Sequence, residues 1–326
     1  MKVGLDTFTI RELGLNPYGC IDWAADHGFE GVQFGGVRAL SDGLDAGRLR
    51  DIRAYADSKG LYSHISVSCA NPILFAGGAR PLAQRLEAEV RAAAAAGWRE
   101  LHSIIHLDTE RYTHPEPWQA HINQSAALLD RLRPVLEECG ARINLENHAD
   151  TTFDLLQIVE GAGPDIVGIC LDTANTFVNA EDPVAAARRV APYTHLTHTK
   201  DAIVCLTDEG ILRQGRPPGQ GNVDFKAILP ILGRYAPDLP LSIEDHKWLF
   251  TARIYDDAWM DRNPELTKRE LSKVVYTAWK SAGQIATGAL PAVEMYESTP
   301  YLDEMEQRLA AGRDYLKVLI RTLGLG

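Results

Sequence analysis

Short β-rich segments alternate with longer helical segments along the whole chain, and this alternation restricts the possible folds more than any other feature. It is typical of a parallel sheet whose strands are connected by helices that cover its faces. The helix boundaries support the division, because Asn16-Pro17 suits a helix start and Gly60 and Gly97 follow helix ends. The predicted strands are residues 2–5, 31–34, 61–67, 100–106, 142–146, 167–171, 193–199 and 239–244.

The chain length limits how these strands can be arranged. A chain of 326 residues is either one large α/β barrel or two domains, because a single simple core stops growing at about 250–300 residues. Successive strand–helix units without a Pro/Ser-rich linker predict α/β architecture, a single (β/α)₈ TIM barrel with a C-terminal helical extension. The strands lie within residues 1–250. Residues 251–326 are expected to supply the eighth barrel helix and an extension at the rim or at a subunit interface, within the same domain.

Charge and composition narrow the choice of partners and compartment. Lys and Arg number 33 and Asp and Glu number 44, so the net charge of −11 disfavours nucleic acid and anionic membranes as partners. The five cysteines are widely spread without a C-x-x-C pair, which fits neither a disulfide framework nor a zinc ribbon. The sequence has no apolar run of about 18 residues, and its start turns polar too early for a signal peptide. We therefore expect a cytoplasmic protein that does not bind membranes.

The last four predicted strands each end in an acidic or imidazole side chain: Glu146, Asp172, His198 and Glu244. The first three are spaced evenly, since 146 to 172 and 172 to 198 are both 26 residues, the length of one strand–helix unit. The C-terminal strand ends form the active site in TIM barrels, so these side chains should converge. Three converging carboxylates repel one another unless a divalent cation binds between them. Oxygen-rich ligands with one nitrogen predict a single Mn²⁺ ion, with Mg²⁺, Co²⁺ or Fe²⁺ as alternatives.

Five motifs follow the last four strands in order. They are N-L-E-N-H at 144–148, L-D-T-A-N at 171–175, H-T-K-D at 198–201, P-G-Q-G-N-V-D-F at 218–225 and S-I-E-D-H at 242–246. With them the sequence resembles the sugar-phosphate isomerase/epimerase superfamily, the xylose-isomerase-like TIM barrels. The resemblance implies that Glu146, Asp172, His198 and Glu244 are the metal ligands, with Glu146 and Glu244 also placed on opposite sides of a bound sugar as acid and base. The family often has a histidine at the position of Asn175, and its replacement here argues against a multi-metal site.

Four further residues are candidate substrate contacts. Lys200 follows the metal histidine, and Arg216, just before the Gly-rich turn 218–221, would reach sugar hydroxyls by the same resemblance. A simple ion pair of Lys200 with Asp201 or another acid is nearly as well supported. His106 on predicted strand four could line the pocket, although a core role is its default interpretation. Trp248 could cover a sugar ring or an aromatic aglycone.

His148 is a candidate proton-transfer residue. It lies two positions beyond Glu146, so the two side chains share one side of an extended strand. An imidazole with a pKa near neutrality can donate a proton to a leaving group or remove one from carbon. The alternative is a supporting role in which His148 orients the metal ligands.

These features leave several functions open. The leading one is a metal-dependent lyase that removes a proton beside a carbonyl and eliminates the aglycone from a 3-oxo-glycoside, as in the catalytic subunits of C-glycoside deglycosidases, which this chain resembles in length and layout. A ketose or aldose isomerase, or a 3-epimerase, would use the same base and cation. A non-catalytic sugar-binding barrel is a remote alternative, and the net charge and Asn175 oppose an apurinic-site endonuclease. The expected partners are a small-molecule sugar or glycoside and either further copies of the chain or a small companion subunit.

Overall fold

The strands form two sheets in the computed structural model, which describes residues 1–106 and 110–326. In chain order they are β1 Lys2–Asp6, β2 Gly31–Phe34, β3 Tyr62–Ser66, β4 Glu100–Ser103, β5 Arg142–Glu146, β6 Val167–Asp172, β7 Thr194–Thr199, β8 Asp201–Leu206, β9 Ile211–Arg216, β10 Pro240–Ile243 and β11 Leu249–Ala252. Eight of them close into a barrel in the order β1-β10-β7-β6-β5-β4-β3-β2, with every neighbouring pair parallel. The predicted (β/α)₈ barrel is confirmed.

The other sheet was not expected from the sequence. Strands β11, β9 and β8 form a small antiparallel sheet in that order. Because β8 begins two residues after β7 ends and β11 follows shortly after β10, this sheet lies at the C-terminal end of the barrel. It therefore stands beside the expected active site.

The helices alternate with the barrel strands as the sequence indicated. Strand β4 is shorter than predicted, ending at Ser103, so His106 lies beyond the strand rather than on it. The helices are α1 Pro17–Asp26, α2 Val37–Leu40, α3 Ala46–Ser58, α4 Ala79–Ala96, α5 Glu110–Thr113, α6 Trp118–Arg131, α7 Arg133–Cys139, α8 Thr152–Ala162, α9 Pro183–Val190, α10 Phe225–Gly233, α11 Asp257–Asp261, α12 Lys268–Ala286, α13 Val293–Glu297 and α14 Tyr301–Leu323, with short 3₁₀ segments at Thr7–Leu13, Asn175–Asn179 and Ala191–Tyr193.

Two long C-terminal helices pack against different sheets. Helix α14 packs on β1 and β10 through a buried face that includes Leu309, Leu316 and Ile320, so it occupies the position of the eighth barrel helix. Helix α12 instead packs on β8 of the small sheet. Among the described residues, no helix is both long and apolar enough to cross a membrane.

Close packing inside the barrel explains one of its glycines. The aromatic ring of Tyr62 covers Gly31, where a Cβ atom would lie 2.3 Å from the ring carbons. The Tyr62 hydroxyl reaches across the barrel to the hydroxyl of Ser242 at 3.1 Å. Since all four residues of β2 are buried, this end of the barrel is a packed core, and open space for a ligand is left to the C-terminal end.

Candidate metal centre

The four side chains predicted as metal ligands lie together. Glu146 ends β5, Asp172 ends β6, His198 lies near the end of β7, and Glu244 directly follows β10. Strand register brings them level, because Asp172 pairs with His198 and His198 pairs with Ser242. One ligand atom from each of the four lies within 4.8 Å of the others.

The closest contacts join two carboxylates to one imidazole nitrogen. His198 Nδ1 lies 3.1 Å from Glu146 Oε1 and 2.8 Å from Glu244 Oε2. Burial opposes charge on all three groups, but their attraction outweighs it, so the pKa of His198 is raised well above its usual value. The pKa values of Glu146 and Glu244 are lowered for the same reason, with Lys200 adding to the effect on Glu244. These acids are ionised at neutral pH.

The donor set fits a divalent cation. Three carboxylates and one imidazole offer hard oxygen donors and one nitrogen, which suits Mn²⁺, Mg²⁺ or Fe²⁺. Asp172 is fully buried, and burial raises its pKa although Lys200 opposes the shift. A cation bound beside Asp172 would lower this pKa and favour the ionised carboxylate. Glu146, Asp172, His198 and Glu244 are therefore the residues that would hold a metal ion.

The first half of the barrel supplies groups that orient these ligands. The Gln33 amide nitrogen lies 2.5 Å from His198 Nε2, and Asp6 Oδ2 lies 3.5 Å from the same atom. His102 Nε2 lies 3.0 Å from Glu146 Oε2, and its Nδ1 bonds the Ser66 hydroxyl at 2.8 Å. These contacts leave His198 Nδ1 and Glu146 Oε1 to face the centre of the cluster.

Asn175 also contacts one of the four candidate metal ligands. Its side-chain amide donates to Glu146 Oε1 at 3.3 Å. The backbone N–H groups of Ala174 and Asn175 both donate to Asp172 Oδ1 at 2.9 Å. This turn therefore fixes two of the four ligands.

Lys200 adjoins the cluster. Its ammonium lies 2.7 Å from Asp172 Oδ2 and 3.1 Å from Glu244 Oε2. The alternative partner, Asp201, is engaged elsewhere, because its carboxylate accepts backbone N–H groups of the Gly-rich turn at Gly219 and Gly221, both at 2.9 Å. Lys200 is thus within reach of a substrate held by the metal ligands, and its substrate contact remains a prediction.

His148 stands half-buried above the cluster. Among the described residues its Nδ1 has no hydrogen-bond partner. Burial lowers the pKa of His148, and Lys200 lowers it further against the opposing effect of Glu146. His106 is fully buried behind it, with ring centroids 6.5 Å apart, and its Nε2 lies 3.3 Å from Asp150 Oδ1. His148 is therefore placed to reach a substrate more directly than His106.

The contacts of Arg216 differ from the sequence expectation. Arg216 lies on β9 with its guanidinium 3.3 Å from the centre of the Tyr296 ring, and it donates to Gln214 Oε1 at 2.5 Å. Tyr296 belongs to α13, and none of these contacts joins Arg216 to the metal ligands. The reason is the pleat of the strand, which turns alternate side chains to opposite faces. Its contact with substrate remains a prediction that these contacts do not support.

Arg213, on the other face of β9, approaches the cluster instead. It is completely buried and feels the charges of Asp172 and Glu244, although burial lowers its pKa overall. The sequence offered a signal, since Arg213 and Arg216 are three positions apart and must therefore lie on opposite faces of a strand. Only the observed strand shows which of the two faces inward.

Aromatic residues border this end of the barrel. Trp248 is 45% exposed, and its ring centroid lies 4.5 Å from that of His246. His246, which the sequence did not single out, is buried 4.0 Å from Glu244 Oε1, and burial with nearby Lys200 and Arg213 holds its pKa well below the usual range. A cleft of about 700 Å³ opens nearby, lined in part by Ala149, Phe250 and Trp259. This cleft is large enough for a monosaccharide.

Comparison with known proteins defines the class. A model of the xylose isomerase-like TIM barrel family matches residues 21–269. Because this match covers most of the chain, the protein belongs to that family. The uncharacterized protein YihM of Escherichia coli (strain K12) is 26% identical over 148 residues, which are 44% of this chain and 45% of YihM. The match thus spans less than half the length of that relative.

Two solved enzymes share the fold. The structure of D-psicose 3-epimerase, determined in the presence of D-fructose, has a TM-score of 0.61 and 16% identity, covering 85% of this chain and 99% of that one. The structure of 3-keto-D-glucoside 4-epimerase, YcjR, from E. coli has a TM-score of 0.57 and 16% identity, covering 84% and 98%. At such identities the likeness establishes the architecture alone.

Proposed function

We propose that this protein is a divalent-metal-dependent epimerase or isomerase that acts on a keto sugar. The observation that carries the proposal is the meeting of two carboxylates at one point, with Glu146 and Glu244 both within 3.1 Å of His198 Nδ1. They arrive from strands on either side of β6 and β7 and so can face opposite sides of one substrate carbon. The epimerase activities of the two structural neighbours agree with this assignment.

The chemistry is proton transfer at a carbon beside a carbonyl. Glu146, Asp172, His198 and Glu244 would hold a divalent cation, which would polarise the oxygens of a keto sugar and so acidify the adjacent C–H bond. One of the carboxylates, Glu146 or Glu244, takes the proton from one face, and the other returns a proton to the opposite face. Transfer to the same carbon inverts it, whereas transfer to the neighbouring carbon isomerises the sugar.

Elimination is the second candidate, and His148 is the observation that favours it. Its Nδ1 has no hydrogen-bond partner among the described residues, and in this reaction it would protonate the leaving group. The reaction would then expel the aglycone of a 3-oxo-glycoside, as a C-glycoside deglycosidase subunit does. We rank it second because it needs His148 in addition to the carboxylate pair.

Solvent deuterium exchange tests the proposal. We expect the Mn²⁺-loaded protein in ²H₂O to label ketoses or keto sugar acids beside the carbonyl, detected by NMR, and to form a second epimer or isomer. Glu146→Gln and Glu244→Gln should each lower the exchange rate by about 10²–10⁴-fold. The matched control is Glu100→Gln at the other end of the barrel. There the Glu100 Oε1 atom forms an ion pair with Arg142 Nη1 at 3.0 Å. Absence of exchange with every such sugar would refute an epimerase or isomerase.

His148→Ala separates the two candidates. If the protein is a lyase, this change abolishes aglycone release from a 3-oxo-glycoside while deuterium exchange continues. Aglycone release by His148→Ala at the wild-type rate would show that the protein is a lyase in which His148 is not the proton donor. If the wild-type protein releases no aglycone but exchanges deuterium into ketoses, it is an epimerase or isomerase.

A further inference from the structure

Arg213 is a buried cation without a hydrogen-bond or ion-pair partner in the described part of the chain. It has no exposed surface, and none of its three guanidinium nitrogens has a hydrogen bond there. Its place on β9 turns it toward the barrel, because Gly215, two residues on and on the same face, packs so closely on His246 that a Cβ atom would lie 2.1 Å from the His246 carbonyl oxygen. An unpaired buried charge is costly, so most buried arginines are paired.

The surrounding acids explain why Arg213 stays unpaired. Four carboxylates act on it electrostatically, and each is already bound to other groups. Lys200 lies 2.7 Å from Asp172 and 3.1 Å from Glu244. Asp245 is bound at both oxygens by Arg308, each at 2.7 Å. The remaining acid, Asp201, accepts the backbone N–H groups of the Gly-rich turn.

We propose that Arg213 binds a carboxylate group of the substrate, so that the keto sugar on which this protein acts is a sugar acid. This inference rests on the proposed function and names its substrate class. A guanidinium presents N–H groups in a planar fork that matches the two oxygens of a carboxylate. One carboxylate also balances one unpaired guanidinium, which a neutral hydroxyl group cannot do. A phosphate ester would bring a second negative charge, and Lys200, the nearby second cation, is already bound to Asp172 and Glu244.

Phe250 lies beside Arg213 and borders the neighbouring cleft. The guanidinium carbon lies 5.4 Å from the centre of the Phe250 ring, and Phe250 also lines the cleft of about 700 Å³. The side chain belongs to the short strand β11 and is only partly buried. Because Arg213 has no exposed surface, a ligand in the cleft would contact it only after a displacement of the Phe250 ring.

Calorimetric binding to the Mn²⁺-loaded protein tests the inference. The probes are two matched pairs, D-fructose with D-fructuronate and D-tagatose with D-tagaturonate, which differ only at the terminal carbon. D-Fructose 6-phosphate is the phosphate arm. We expect each acid to bind about tenfold or more tightly than its neutral partner, because a hydrogen bond between a guanidinium and a carboxylate is roughly twice as strong as a neutral one.

Variants locate the effect. Arg213→Met should reduce the affinity for the acids to that for the neutral sugars, and Arg213→Lys should restore part of it. The control is Arg50→Met, which removes an equal charge from the exposed surface of α3 and should leave the preference intact. Without ligand, we expect Arg213→Met to melt no earlier than wild type, since it removes an unpaired buried charge.

Several results would overturn the inference. The inference fails if the acid and the neutral sugar bind equally tightly, if only the phosphate ester binds, or if neither acid binds. It also fails if Arg213→Met lowers the affinity for the acid and for the neutral sugar by the same factor. The outcome is separable from that of the proposed function. Exchange into neutral ketoses without a preference for acids refutes only the inference, whereas binding of acids through Arg213 without exchange refutes only the proposed reaction.

Discussion

Two neighbouring regions of this protein bury charged side chains in opposite ways. At the C-terminal end of the barrel, Arg213 has no hydrogen-bond partner among the described residues. At the seam between helix α14 and the barrel, Arg308 binds both oxygens of Asp245 and also contacts the Tyr296 hydroxyl. The adjacent residues Glu244 and Asp245 divide the two regions, because Glu244 faces the metal centre and Asp245 faces the helix.

The difference separates charges that support the fold from charges that await a ligand. A satisfied pair such as Asp245 with Arg308 fixes the position of α14 and leaves nothing free to bind a small molecule. The metal centre instead concentrates acids at His198, and it remains electrostatically incomplete without a cation and a substrate.

The largest expected effect is loss of the metal. We expect His198→Ala to weaken Mn²⁺ binding more than about 100-fold, since changes to groups that only support metal ligands already cost 10–100-fold. Titration calorimetry with Mn²⁺ measures the affinity. The control is His195→Gln on the same strand, whose imidazole is close to Arg142 and Glu100 rather than to the cluster. Wild-type affinity in His198→Ala would show that this imidazole is not a ligand.

The next prediction compares the two arginines directly. Arg308→Met leaves Asp245 buried and unpaired, so we expect the free energy of unfolding to fall by about 3–5 kcal/mol. Arg213→Met should cost nothing, as argued above. Urea unfolding of both variants provides the measurement. The contrast fails if the two substitutions destabilise the protein equally.

A smaller effect is expected from Gln33, which holds the far nitrogen of His198. Gln33→Leu removes this contact and should weaken Mn²⁺ binding by about 10–100-fold without abolishing it. The same calorimetric titration applies. Unchanged affinity would mean that Asp6, 3.5 Å from His198 Nε2, orients the ring by itself.

The smallest effect concerns His64 on β3, outside both regions. Burial lowers the pKa of His64 to about 4, from an unfolded value near 6.5. Between these pH values the unfolded chain takes up a proton that the folded protein does not, so stability falls as the pH falls. Since His64 is only partly buried, we expect a loss of at most about 2 kcal/mol at pH 5. His64→Gln should flatten the pH dependence of the urea midpoint between pH 6.5 and 5, and an unchanged slope would assign it to other groups.

The sequence predicted those parts of the molecule that depend on local pattern. The eight barrel strands followed from short apolar segments between helices, and β2 and β5 have the predicted ends. Glu146, Asp172, His198 and Glu244 were identifiable because each directly follows such a segment. Their convergence then required only a closed parallel barrel.

The features that the sequence did not reveal depend on long-range geometry. Strand β9 reads Ile-Leu-Arg-Gln-Gly-Arg, and its polar residues gave no sign of a strand until pairing with β8 and β11 was seen. The alternation of side chains along that strand directs Arg213 toward the candidate metal centre and Arg216 toward Tyr296. Likewise, Gln33 and His102 contact the metal ligands only because the barrel closes, which no local pattern predicts.

The position of Lys200 has a consequence for the protein before it is loaded. Its ammonium contacts both Asp172 and Glu244 and so reduces the repulsion between these two acids when no metal ion is bound. A bound divalent ion would add two positive charges beside the one that Lys200 already supplies. The affinity for the ion would then depend on the repulsion between it and the Lys200 ammonium.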